Sequence, residues 1–90
     1  MTQLHCIISG RVQRVMFRDF AQRKARGLGI VGWVRNLPDG TVEVSAQGER
    51  ALLERYLAKL HRGPWLARVE SVDSQWGNDP EPLSGFEIRY

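Results

Sequence analysis

Ile30-Val31-Gly32-Trp33-Val34-Arg35-Asn36-Leu37-Pro38-Asp39-Gly40-Thr41-Val42-Glu43-Val44-Ser45-Ala46-Gln47 reads as a β-hairpin. Residues 30–37 form one strand. Leu37-Pro38-Asp39-Gly40 is the turn, where Pro presets φ and Gly closes the bend. Residues 41–47 return as a strand, with Val42, Val44 and Ala46 alternating onto one face. Upstream, Phe17, Phe20/Ala21, Lys24/Ala25 and Leu28 recur at helical spacing, which predicts a helix over 17–28. Arg23, Lys24 and Arg26 suit the negative end of its dipole, and Gly27 and Gly29 stop it. Before it, residues 4–9 are short, apolar and Ile-rich, a buried strand ending at Gly10. Downstream, Leu52/Leu53, Tyr56/Leu57 and Leu60 predict a second helix over 49–60, ended by Gly63-Pro64. A strand follows over 67–74. Val69 and Val72 break its alternation and suggest a bulge. Residues 76–82 read as loop, and 86–90 as a short closing strand.

The order is βαββαβ with one small extra strand, the order of a ferredoxin-like α+β sandwich. Such a fold has a mainly antiparallel sheet with two helices on one face. A right-handed crossover makes the first two strands parallel with a gap between them, which the third strand fills. The segment leaving the first strand, 10–18, therefore meets Asn36 at one edge of the sheet. The length of 90 residues accommodates one domain, 1–90. The hydrophobic share of 42% and charged share of 26% are those of an ordinary globular chain. A single cysteine, Cys6, excludes an internal disulfide and any Cys-pair metal site. No apolar run approaches the ~18 residues of a membrane span, and Met1-Thr2-Gln3-Leu4-His5 carries no signal-peptide pattern. A cytoplasmic monomer without a membrane partner is expected.

The net charge is +3, and eleven of the thirteen cations are Arg. That skew suits bidentate contact with phosphate or carboxylate, or reflects genome composition. Gly10-Arg11-Val12-Gln13-Arg14-Val15-Met16-Phe17-Arg18 empties into a helix N-terminus, where free N–H groups and the dipole favour an anion. Arg18 stands in the first helical turn, against that dipole by ~0.3–1 kcal/mol. Local conflicts of this kind concentrate at functional sites. From its position alone, Arg18 is equally a surface arginine in free solvent. Asn36 read alone is a turn residue. Beside an anion loop, its amide can accept from a water while donating to a phosphate oxygen. No paired-carboxylate signature is present, and His5 and His61 fall away from this edge. A phosphoryl transfer with a carboxylate leaving group, conjugate to an acid of pKa ~4–5, needs neither acid nor base. That singles out acyl phosphates, since alkoxide leaving groups call for a general acid or a metal.

The 10–18 segment resembles the phosphate-loop signature of the acylphosphatase family, G-x-V-Q-G-V-x-F-R. Gly32-Trp33-Val34-Arg35-Asn36, with Gly40-Thr41-Val42 and Gly48, resembles its second signature. The resemblance spans essentially the whole chain. It implies hydrolysis of acyl phosphates to carboxylate and inorganic phosphate, without metal or cofactor. It implies phosphate binding by Gln13, Arg14, Val15, Met16, Phe17 and Arg18, with Arg18 and Asn36 catalytic and Asn36 orienting the attacking water. One residue departs from the pattern: Arg14 stands where the family has glycine. Glycine in a phosphate loop usually means positive φ or close approach to the ligand, so either the loop has shifted or the Arg14 side chain points outward.

Three rival readings compete with this one. A nucleic-acid module matches the fold order and the pI of about 9.6. However, the third strand, 41–47, offers no aromatic for base stacking, so no nucleic-acid partner is expected. A metal-carrying ferredoxin-like domain fails on the single cysteine. A degenerate acylphosphatase-like domain that binds an anion or a partner without turnover is the alternative that Arg14 sustains. Of the remaining residues, Cys6 is expected to be a small buried hydrophobe. Trp33 is expected to pack against a helix, Trp65 and Trp76 to be half exposed beside loops, and Tyr90 to cover a sheet edge.

Overall fold

The computed structural model describes residues Met1–Tyr90. Its elements are β1 (Thr2–Arg11), α1 (Phe17–Gly27), β2 (Val31–Asn36), β3 (Val42–Gly48), α2 (Arg50–Arg62), β4 (Arg68–Asn78) and β5 (Phe86–Arg89). The strands form one five-stranded sheet in the order β4-β1-β3-β2-β5. β3 runs antiparallel to both β1 and β2, so these two are parallel with β3 in the gap between them. β4 pairs antiparallel with β1, and only β5 pairs parallel, with β2. The ferredoxin-like sandwich is thus the observed fold.

Alternation decides which face of the sheet is covered. Leu4, Cys6 and Ile8 of β1, Val34 of β2, and Val42, Val44 and Ala46 of β3 are fully buried. Against them lie Phe17, Ala21 and Ala25 of α1 and Leu53, Tyr56 and Leu60 of α2, in a single core cluster. Each large aliphatic side chain taken from water this way contributes roughly 1.5–3 kcal/mol. Tyr56 also carries a directional bond, its hydroxyl donating to the Ala21 carbonyl at 2.9 Å, which ties α2 to α1. Burial, helped by nearby Cys6, raises the pKa of the Tyr56 phenol well above its ordinary value. The Cys6 thiol is likewise pushed up to about 12, first by burial and then by the Asp73 charge.

The bulge suggested by Val69 and Val72 is present. Ser9 faces Ser71 but Gly10 faces Val69, leaving Glu70 as the extra residue of β4. Gly10 has φ +122°, and a Cβ there would run into the Arg68 carbonyl and the Glu70 amide. Glycine at this position therefore lets β1 close against β4 while the chain turns into the 12–16 segment. Gly32, with φ +147°, is similar, since a Cβ would collide with the Ser45 carbonyl of β3.

Four local expectations are corrected, the first at Trp65, which is 97% exposed rather than half exposed. β4 runs on to Asn78, so Trp76 and Gly77 are strand residues opposite Leu4 and Gln3 rather than loop. Trp76 lies under the Arg50 guanidinium of α2, 3.7 Å from its ring centroid. Trp33 does not pack against a helix. It alternates with buried Gly32 and Val34 and so lies on the open face, where Arg35 and Arg89 stack on it at 5.3 and 4.8 Å. Tyr90 covers no edge and is 99% exposed. The open face also holds Glu43, which accepts from His5 at 2.7 Å and from Arg35 at 2.6 Å. Desolvation pushes the Glu43 pKa upward, but the two hydrogen bonds and the neighbouring charges outweigh it and leave it below the ordinary value.

Candidate active site

Between β1 and α1 the chain alternates buried anchors with exposed, left-handed residues. Val12 and Val15 are buried at 1% and 9% exposure, and Phe17 at 1%. Between the anchors, Arg14 has φ +65° and Met16 φ +62°. Backbone that passes repeatedly through the left-handed region turns successive N–H groups toward one side, a shape suited to an anion. Left-handed Met16 is also the N-cap of α1 and makes no side-chain cap. Among turn, loop and cap hydrogen bonds, none is donated by an N–H between residues 12 and 19. The first is from Phe20 to the Met16 carbonyl at 3.1 Å. A helix N-terminus left open in this way presents free donors and the positive end of the dipole.

The loop is held in place from the hairpin. The Gln13 side-chain amide donates to the carbonyls of Leu37 and Thr41, at 2.7 and 2.8 Å. These flank the turn between β2 and β3, which Asp39 caps by accepting from the Thr41 amide and hydroxyl. The Gln13 side chain is thus occupied, and only its backbone faces the question of anion binding.

A concave pocket of about 240 Å³ opens here, lined by Val12, Arg14, Met16, Phe17, Arg18, Asp19 and Asn36. Arg18 from the first turn of α1 and Asn36 from the end of β2 thus share one pocket, as the topology required. Gln13 and Val15 do not line it. The Asn36 Oδ1 is buried and has no hydrogen-bond partner. A buried acceptor left unpaired costs roughly 1–3 kcal/mol, and native proteins retain few of them. The Arg18 guanidinium carbon lies 4.7 Å from the centroid of the Tyr90 ring. That stacking contact joins residues 72 positions apart, and nothing in the sequence pattern signals it. Arg14 takes the left-handed conformation that glycine adopts readily, so the backbone here has the shape to which the signature's glycine is suited. Its side chain is exposed at the pocket rim.

The chain resembles known proteins throughout its length. A family model described as acylphosphatase matches residues 4–88. An acylphosphatase of Thermus thermophilus is 50% identical over 88 residues, 98% of this chain and 99% of that protein. The crystal structure of acylphosphatase from Bacillus subtilis matches the whole fold with a TM-score of 0.98 at 33% identity, covering 100% of each chain. The structure of an acylphosphatase from Coxiella burnetii matches at 0.92 and 39% identity, covering 98% of this chain and 92% of that one. Agreement of sequence and fold over nearly every residue leaves one conclusion, that this chain belongs to the acylphosphatase family.

Proposed function

We propose that the pocket between the 12–19 segment and Asn36 hydrolyses acyl phosphates, with Arg18 holding the phosphoryl group and Asn36 the attacking water. The observation that carries this reading is the unpaired Asn36 Oδ1 in the pocket that Arg18 also lines. The phosphoryl oxygens are received by the free N–H groups of Arg14, Val15, Met16, Phe17 and Arg18, with that of Gln13 at the edge, and by the Arg18 guanidinium. Charge-assisted donors of this kind bind more strongly as charge accumulates on the transferring group. Water accepted by Asn36 Oδ1 attacks phosphorus in line with the acyl oxygen. The P–O bond to the acyl group breaks, the carboxylate departs with its electron pair, and the water proton passes to the phosphate product. The carboxylate is stable unprotonated at neutral pH, so no general acid is required.

The same reading has the protein act as a cytoplasmic monomer on a small-molecule substrate, without metal, cofactor, nucleic acid or membrane. Two measurements test it. Hydrolysis of benzoyl phosphate should persist in excess EDTA, and activity that vanishes with chelator and returns with Mg²⁺ would refute metal independence. Arg18→Ala should weaken competitive inhibition by inorganic phosphate about tenfold to hundredfold, the equivalent of ~1.5–3 kcal/mol for a charge-assisted contact. A folded Arg18→Ala protein with unchanged phosphate inhibition would remove Arg18 from the binding role.

A further inference from the structure

The two helices do more than cover the sheet. Along their seam runs a groove with two lobes. One, of about 160 Å³, is lined by Phe20, Lys24, Lys59, Arg62 and Gly63. The other, of about 280 Å³, is lined by Arg23, Lys24, Gly27, Leu28, Arg55 and Lys59. Lys24 and Lys59 line both lobes, so the groove is continuous, and on α1 it runs seven residues or about 10 Å. Five cations line it and no carboxylate does. None of the five is in an ion pair or donates a hydrogen bond within the protein. The chain carries a net charge of +3, so the residues outside the groove sum to −2.

Helix dipoles explain part of this arrangement. Lys24 lies in the last turn of α1, and Lys59 and Arg62 in the last turn of α2. Arg23 and Arg55 are mid-helix, where the dipole offers nothing. Lys24 and Lys59 are only half exposed, which limits how far solvent can screen their mutual repulsion. The only aromatic face in the groove is Phe20, already covered by the Lys24 ammonium at 5.6 Å. Stacking of a base or sugar is therefore not offered, while point charges for phosphate are.

We infer that this inter-helix groove is a second anion site, separate from the phosphate loop, that binds a short linear oligophosphate through Lys24 and Lys59 at its centre and Arg23, Arg55 and Arg62 around them. The bound chain would bridge α1 and α2. The inference stands or falls independently of catalysis, because none of the five residues lines the Arg18–Asn36 pocket.

The test uses the Arg18→Ala protein, to weaken the loop, titrated with tripolyphosphate and followed by amide chemical shifts. Saturable shifts at Lys24, Arg55 and Lys59 are expected, with affinity at least tenfold above that for orthophosphate. Adding Lys24→Gln and Lys59→Gln should weaken tripolyphosphate at least tenfold. The same pair in the otherwise native chain should leave benzoyl phosphate turnover unchanged. ATP, the same triphosphate attached to a nucleoside, should bind within a few-fold of tripolyphosphate. Shifts confined to residues 12–19, or affinity unaltered by the two glutamines, would overturn the inference. ATP binding more than tenfold tighter would overturn recognition by phosphate alone.

Discussion

Replacing Arg14 with glycine should make the protein more stable and its phosphate site weaker. Arg14 sits at φ +65°, a conformation that costs a side chain with a Cβ roughly 1–2 kcal/mol. Glycine removes that cost but gives up ~0.5–1 kcal/mol of unfolded-state entropy. The net gain is about 0.5 kcal/mol. For a domain this small, that corresponds to roughly 2–4 °C in Tm. The charge acts in the other direction. Arg14 lines the pocket rim and is solvent-exposed, so its attraction for an anion resembles a screened surface pair, ~0.2–1 kcal/mol. Inorganic phosphate should then bind up to about fivefold more weakly, and more so at low salt. Arg14→Ala separates the two effects, because it removes the cation and keeps the strained backbone. It should match the glycine variant in phosphate inhibition and show none of its thermal gain. Thermal denaturation and phosphate inhibition of all three proteins, at two ionic strengths, decide the matter. A lower Tm for Arg14→Gly, or an equal rise for Arg14→Ala, would refute the assignment of strain to this residue.

Asn36→Ala should lower kcat while leaving the phosphate inhibition constant nearly unchanged, since the residue is assigned to water. A large rise in that constant with kcat intact would reassign it to phosphate. Glu43 is held ionised by His5 and Arg35. Its pKa is lower in the folded chain, so these contacts stabilise above the ordinary value of 4.5 and that contribution is lost as pH falls through the folded value. Glu43→Gln should therefore flatten the acid limb of the stability curve, and an acid limb identical to the native one would refute this. Cys6 is buried with its thiol at about 12, so a disulfide reagent at pH 8 should label it only at the rate of unfolding. Labelling at the rate of a free thiol would contradict that burial.

What the sequence disclosed follows the range of the forces involved. Helix and strand periods are local, and the hairpin at Leu37-Pro38-Asp39-Gly40 was legible because turn chemistry lies within four residues. The meeting of Arg18 with Asn36 was also legible, since the handedness of one crossover dictates it. Trp76 was misread because Gly77, Asn78, Asp79 and Pro80 carry turn signals. Its strand state comes from pairing with Leu4, 72 positions away. Trp33, expected against a helix, lies on the open face because the alternation of Gly32 and Val34 fixes it outward. The resemblance implies a phosphate role for Gln13 through the loop amides and says nothing of its side chain. That side chain serves two carbonyls 24 and 28 residues away, a partnership that no spacing within the motif encodes. The Arg18–Tyr90 stack is of the same kind.

The Gln13 clasp also bears on transplantation. A nine-residue motif that reads as a self-contained phosphate binder is half of a two-part device, because the carbonyls that pin it belong to the turn of the neighbouring β2–β3 hairpin. A peptide of residues 10–18 would lack the register that Leu37 and Thr41 impose, and its N–H groups would point in many directions. Grafting the loop onto another scaffold calls for carrying the hairpin turn with it. The pocket thus belongs to the closed β1-β3-β2 ladder as a whole and to no single segment of the chain.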